Sequence, residues 1–300
     1  MAPDRRSRTS DSGEQPHPHL AFGDTRHRPA SAHTGGSTSA GPARDYLGTR
    51  WRCRRLRAWT RATPIRRSPD YFEEHTMRIG IIGAGNIGGN LTRRFAALGH
   101  EVSVANSRGP ETLAELAQET GASAVPATEA AKGAEVLVVT IPEKNIPKLP
   151  AGILEGLASG AVVIDTGNYY PQQRDGKIED IENGAPESVW VAGQLGHPVV
   201  KAFNGTYASH LLTEGKPAGS PGRIALPVAG DDPTAKAVVI ALLDQLGFDG
   251  VDAGGLADSW RQQPGTPVYG ADLDADDVRR ALAEANPERP ADFRATSKVE

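Results

Sequence analysis

The stretch Gly83-Ala84-Gly85-Asn86-Ile87-Gly88 constrains this chain more than any other. It follows an apolar run, Met77 to Ile82, that predicts a short buried strand. It precedes Asn86 to Leu98, which places Ile87, Leu91, Phe95 and Leu98 on one helical face, with Gly99 closing the helix. The spacing is therefore G-x-G-x-x-G at a strand-to-helix junction. The first glycine permits the tight turn, the second lets a pyrophosphate approach the backbone, and the third lets helix and strand pack closely, with the anion on the helix N-terminus. A second strand, Glu101 to Ala105, completes a βαβ unit. A dinucleotide-binding domain is predicted, with Gly83, Gly85, Asn86, Ile87 and Gly88 as cofactor-binding residues.

The end of the second strand is where the adenosine ribose is read, and an NAD protein places Asp or Glu there. This chain has Asn106-Ser107-Arg108. A serine hydroxyl and a guanidinium suit a 2′-phosphate, so Ser107 and Arg108 predict NADP(H). Further on, a helix from Pro110 to Glu119 and strands near Ala122 to Val125, Glu135 to Ile141, Ala161 to Asp165 and Val199 to Phe203 alternate as a parallel sheet demands. Ligand contacts fall at the carboxyl ends of such strands. That rule selects Thr140, Asn168 and Asn204 as polar contacts, and Ile141 and Pro142 as an apolar wall for a nicotinamide. The strand Arg223 to Ala229 and the helix Pro233 to Leu246 complete the domain. The expected fold is α/β, a Rossmann-type doubly wound, mostly parallel sheet spanning 77–253, with a short C-terminal appendage, 254–300, carrying one helix, Asp274 to Ala285.

Composition divides the chain at the same place. Residues 1–76 hold 14 Arg, no Lys and 8 acids, leaving a net charge of −10 on the remainder. They are rich in Pro, Gly and Ser and lack apolar periodicity, so this extension is expected to be disordered. The second of two methionines, Met77, begins everything that has a folding pattern, and translation is expected to start there. The basic, aromatic-interleaved stretch Arg44 to Arg67 has the makings of a binder of nucleic acid or an acidic surface, but it carries no fold signature and reads more strongly as an Arg-rich tail, so no nucleic-acid partner is expected. Arg5-Arg6 precedes no apolar segment, and no apolar run approaches the roughly 18 residues of a membrane span. The single cysteine, Cys53, excludes an intrachain disulfide and a multi-thiolate metal site. A cytoplasmic protein with small-molecule cofactors as partners is expected, with a homodimer as its candidate assembly.

MRIGIIGAGNIGG, ANSRGPETL, VVTIP, VVKAFN and VAGDDPTAKAVV followed by VDAGGLADS together resemble the coenzyme F420-dependent NADP oxidoreductase family, over about 180 residues. The same dinucleotide domain occurs in membrane ferric reductases of the STEAP type, and pyrroline-5-carboxylate reductase has a similar N-terminal half. The resemblance implies 2′-phosphate contacts at Ser107 and Arg108, pyrophosphate contacts from Gly85 to Ile87, nicotinamide packing by Ile141 and Pro142, and a second cofactor beside Lys201 to Asn204. Authentic F420-dependent members differ at Phe203-Asn204-Gly205-Thr206, where this chain is closer to the ferric reductase version. Only about 50 residues follow Gly250, too few for the helical dimerisation domain of pyrroline-5-carboxylate reductase.

Other constellations carry less. Asp272, Asp274 and Asp276 have calcium-loop spacing, but Asp277 stands where glycine is required, so this is an acidic helix N-terminus. His197 and His210 lack metal-ligand spacing, and no metal is expected. Tyr169-Tyr170 could stack on a flat cofactor or pack against the sheet. The expected activity is NADP-dependent hydride transfer to a planar acceptor, F420 or a flavin. A small carbonyl or imine acceptor, or a non-catalytic NADP(H)-sensing module, is the alternative. Hydride transfer needs near-attack geometry and water exclusion rather than a covalent side chain, so no catalytic acid or base is named.

Overall fold

The computed structural model describes residues 76–295. The basic extension with its Arg44 to Arg67 stretch and Cys53 lies outside them. The first element is the strand β1 (Arg78–Ile82), and the helix α1 (Asn86–Ala97) follows the glycine turn. Leu91 and Phe95 are wholly buried. Leu98, expected on the same face, is instead largely exposed, because it is the C-cap residue and the chain turns away through Gly99 in a left-handed conformation, with the His100 N–H donating to the Phe95 carbonyl.

The strands β2 (Glu101–Ala105), β3 (Ser123–Ala124), β4 (Val136–Val139), β5 (Val162–Asp165) and β6 (Val200–Lys201) join β1 in one parallel sheet of order β3-β2-β1-β4-β5-β6. The order reverses between β1 and β4, and a crevice at such a switch point is where these folds take ligands. β1 and β4 are apolar along nearly their whole length because helices cover both faces. The expected Pro110 to Glu119 helix begins as a 3₁₀ turn, Pro110–Leu113, before becoming α2 (Ala114–Thr120).

Two short strands follow, β7 (Ala225–Val228) and β8 (Asp249–Asp252), which form a separate parallel pair. β8 was not expected from the sequence. Its glycine and two aspartates break the apolar pattern, and Gly250 is required because a Cβ there would press on Ile240 of the intervening helix. An antiparallel bridge from Lys201 to Ala229 links this pair to the main sheet. Since the last residue of β6 meets the residue after β7, most of β7 extends beyond the carboxyl edge of the six-stranded sheet and flanks the crevice.

The C-terminal appendage is fastened to this wall. Its helix, Ala275–Glu284, is capped by Asp274, which accepts from the Asp276 and Asp277 N–H groups, and buries Val278, Ala281 and Leu282 against Ala225 and Val251. Arg289 beyond it reaches the buried Glu187 at 2.7 Å. Removing one partner of a buried ion pair costs about 3–5 kcal/mol. A chain ending at Ala253 is therefore expected to unfold at markedly lower urea than the full chain, checked by equilibrium denaturation; equal midpoints would show the appendage to be energetically separate.

Candidate functional site

The carboxyl ends of β1, β2, β4, β5 and β6 gather the residues that sequence patterns selected. Gly83 has φ 108°, and a Cβ on it would collide with the Thr140 carbonyl and press on Ile141. A Cβ on Gly88 would collide with the Gly83 carbonyl and the Thr140 methyl. Those two glycines let the β1 turn nest against the end of β4. Gly85 has open space where its Cβ would stand, and it caps α1 without any side-chain hydrogen bond. The N–H groups of Asn86, Ile87 and Gly88 begin the helix ahead of its first backbone bond, from Gly89 to the Gly85 carbonyl at 2.7 Å, and Asn86 is exposed. This loop suits an anionic dinucleotide: unpaired helix-terminal donors under a position with no side chain.

At the end of β2, Asn106 shapes the turn by accepting from the Arg108 N–H at 2.9 Å. Ser107 and Arg108 are exposed, and the Arg108 guanidinium has no carboxylate partner among the described residues. Three strand spacings of about 4.8 Å separate β2 from β5, so the ribose end and the Asn168 end of the crevice lie about 14 Å apart.

At that far end, Asn168 and Asn204 bind each other. Asn168 Nδ2 donates to the Asn204 carbonyl at 2.9 Å, and Asn204 Nδ2 donates to Asn168 Oδ1 at 3.1 Å and to the Gln262 carbonyl at 2.7 Å. Gln262 Nε2 in turn donates to Asn204 Oδ1 at 3.0 Å. Asn204 is only 4% exposed and its amide is fully engaged, so it locks the loops after β5 and β6 together. Phe203, immediately before it, has φ 63°, a strained conformation for a bulky residue, and turns the chain sharply after β6. Thr140, Ile141, Pro142 and Asn168 are half-buried around the same crevice.

Beneath these loops lies a charged network of which sequence patterns marked only parts. Lys201, expected beside a second cofactor, is wholly buried. Its ammonium donates to the Gly167 carbonyl and to Asp165 Oδ2 at 3.3 Å, and lies 3.9 Å from Glu187. Burial alone would depress its pKa, but Asp165, Glu187 and Glu143 outweigh burial and hold it above the ordinary value. Arg174 pairs with Glu143 and Asp175, each at 2.9 Å, and donates to the Asn168 carbonyl. Gly167 has no Cβ because Glu143 Oε1 occupies that space. Tyr169 belongs to this buried layer, donating to Glu182 at 3.0 Å and accepting from the Ile178 N–H, and is closed to any cofactor. The available signals were single charges inside apolar runs: Lys201 in VVKAF and Asp165 ending VVID. Glu143, Arg174, Glu187 and Arg289 had none, because their loops carry no period.

Four carboxyls, Glu143, Asp165, Asp175 and Glu187, face three cations, Lys201, Arg174 and Arg289. Glu143 Oε1 has no hydrogen-bond partner. Burial first, then Glu187 and Asp165, push the Glu143 carboxyl well above the carboxylate range, only partly offset by Lys201 and Arg174. Glu187 is raised as well by burial, partly offset by Lys201 and Arg289.

The fold and crevice define a dinucleotide-binding domain of the oxidoreductase class. The family model for coenzyme F420-dependent NADP oxidoreductases matches residues 78–169. A solved structure of the protein SMa0349 from Sinorhizobium meliloti is 32% identical, with a TM-score of 0.56, covering 69% of this chain and 98% of that one. The YjhV protein of Escherichia coli is 51% identical over 66 residues, 22% of this chain and 48% of that protein. An erythronate-4-phosphate dehydrogenase of Salinibacter ruber is 36% identical over 107 residues, 34% of this chain and 26% of that protein. The chain thus spans about half or less of the length of these two curated relatives. It belongs to the coenzyme F420-dependent NADP oxidoreductase family.

The network makes stability depend on pH with a defined sign. Glu143 ionises at higher pH in the folded protein than in the unfolded chain, so the folded state holds the extra proton. Its contribution is complete below the ordinary value of 4.5 and is lost as pH rises toward the raised one, at up to about 1.4 kcal/mol per pH unit. Glu143→Gln keeps the shape and removes that titration. Its urea midpoint is expected to fall less than that of the natural protein between pH 5 and 8; parallel curves would mean that Glu143 stays ionised.

Proposed function

We propose that this protein transfers a hydride between NADP(H) and a planar acceptor, coenzyme F420 or a flavin. The observation that carries the NADP reading is the pairing of an uncapped helix N-terminus at Gly85 with the exposed, carboxylate-free Ser107-Arg108 turn at the end of β2. When bound, the dinucleotide supplies the hydride at its nicotinamide. The chain's part is positional: Asn86 to Gly88 hold the pyrophosphate, Ser107 and Arg108 the 2′-phosphate, and Ile141 and Pro142 offer an apolar wall to the nicotinamide. Asn168, held by Asn204 and by Arg174, sets the far wall of the crevice. Family membership supports F420 as the first acceptor to try, and an apolar wall gives a flat ring more surface to bury than a short aliphatic chain offers.

Anaerobic mixing of the protein with NADPH and either F420 or flavin mononucleotide, followed by the nicotinamide and deazaflavin absorbances, tests this reading. Oxidation of NADPH coupled to acceptor reduction is expected, with kcat/KM at least about tenfold lower for aliphatic aldehydes. Tight NADPH binding without oxidation by any acceptor would favour a sensing module. Arg108→Ala is expected to weaken NADPH binding by about 1.5–3 kcal/mol, as for loss of a charge-assisted hydrogen bond, and to leave NADH nearly unchanged. Equal losses by calorimetric titration would make Arg108 a general binding residue.

A further inference from the structure

The stretch expected beside a second cofactor, Lys201 to Asn204, is closed to one. Lys201 and Phe203 are buried, and the Asn204 amide is engaged by Asn168 and Gln262. The chain opens just afterwards. Gly205 and Thr206 are still buried, but Tyr207 is 56% exposed, the most exposed large apolar side chain among the described residues. Both ends of this short segment are fixed at the crevice. Asn204 is bonded to Asn168 past the end of β5, and the Ala208 carbonyl accepts from Asn90 Nδ2 at 2.7 Å, one turn along α1 from Asn86. β1 and β5 lie two strand spacings apart, about 10 Å, and four residues reach at most about 14 Å. The segment therefore crosses nearly straight in front of the carboxyl ends of β4 and β5, on the face of the sheet that carries α1, and Tyr207 stands at its α1 end.

The ring is braced without being covered. His210, three residues on, meets it at 5.1 Å between centroids and 64° between planes, and His210 Nδ1 is in turn 2.8 Å from Asp272. The hydroxyl end reaches the C-terminal segment, where a Cβ on Gly270 would stand 3.6 Å from it. The Gly270 N–H donates to the Gly205 carbonyl at 2.9 Å, which pins that segment to this one. Next to Gly270, Tyr269 touches Tyr170 hydroxyl to hydroxyl, and Phe293 packs on Tyr170 at 6.4 Å. In a chain with only 5% aromatic residues, Tyr207, Tyr269, Tyr170 and Phe293 make a row from the α1 side of the crevice to the turn after β5. Tyr269, Tyr170 and Phe293 are half-buried, so Tyr207 alone offers most of its ring. A lone exposed aromatic is ordinary on a protein surface. One that is braced from behind and set at the rim, on the α1 side of the loop carrying Ile141 and Pro142, is placed to receive a flat ring.

We propose that Tyr207 is the stacking platform for the second substrate, a tricyclic ring of the flavin or deazaflavin shape. The inference rests on the hydride-transfer reading above and moves the acceptor contact from Lys201 to Asn204, which the fold closes, to the exposed ring three residues beyond. Stacking of a flat heterocycle on an aromatic side chain is worth about tenfold or more in affinity. It needs the ring and not the hydroxyl. A short aliphatic carbonyl compound has no face to stack, so the same residue selects planar acceptors.

The test measures binding without turnover: F420 or flavin mononucleotide is titrated into protein saturated with NADP+, and the fluorescence of the added ring is followed. Tyr207→Ala is expected to weaken both ligands by about tenfold or more, and Tyr207→Phe, which keeps the ring, to bind them within about threefold of the natural protein. NADPH affinity should stay within about twofold in both variants, since the glycine loop is untouched. In turnover the loss in Tyr207→Ala should fall mainly on the acceptor KM. Urea midpoints matching the natural protein are expected, because the side chain is exposed. Unchanged F420 and flavin affinity in Tyr207→Ala would overturn the proposal. Equal losses in Tyr207→Ala and Tyr207→Phe would overturn it as well and make the hydroxyl the contact. A matching loss of NADPH affinity would assign Tyr207 to the dinucleotide instead. Natural protein that binds neither F420 nor flavin mononucleotide would overturn the planar-acceptor reading itself, before any variant is compared.

Discussion

The Lys201 ammonium has been taken out of water, and much of the crevice follows from how it is compensated. An isolated buried ammonium is untenable, and the cost is met only when counter-charges and acceptors surround it. Here the compensation comes from Asp165 at the end of the neighbouring strand, from Glu187 on the helix below, and from the Gly167 carbonyl above. The last of these matters most for the surface of the site. A charge that draws a backbone carbonyl inward holds the whole Asp165-Thr166-Gly167-Asn168 turn against the sheet, and Arg174 does the same for the next carbonyl.

The loops are consequently coupled in pairs. The turn after β1 nests on the end of β4 through glycines that exclude any side chain, and Glu143, one residue past that apolar wall, reaches under the turn after β5. The turn after β5 is in turn tied to the one after β6 by reciprocal asparagine bonds. A displacement at the glycine loop would have to be accommodated across all of them. Such a scaffold is suited to holding two flat partners at a fixed separation.

Much of the strand framework and the first half of the site were legible in the sequence because they rest on local rules. Gly83 and Gly88 have positions that a turn and a close approach require, and Asn106-Ser107-Arg108 is conspicuous because the expected acid is missing. The far half was not legible in the same way. Asn204 looked like a ligand contact, but only the fold brings Gln262 to its amide. Tyr169 and Tyr170 are adjacent yet differ in surroundings, because alternation along an extended segment sends one into the core and leaves the other half-buried beside Arg174 and Phe293. Glu143 and Glu187 come from an irregular turn and a short helix whose partners are distant in sequence, and no period announces a tertiary ion pair.

The displaced register of β7 also separates two tasks along the chain. The glycine turn and the Asn106-Ser107-Arg108 turn both lie before residue 170, whereas β7 and the C-terminal segment stand past the sheet edge as a wall. The two parts share one hydrophobic core, in which Leu211, Ile224, Leu226, Leu243 and Phe248 are buried together with Met77, Ile79, Leu91 and Phe95. Only the face of the wall turned away from that core can be rewritten by substitution or insertion while the first half stays intact. Relatives that diverge only on that face would keep the glycine loop and differ in what they place beside it.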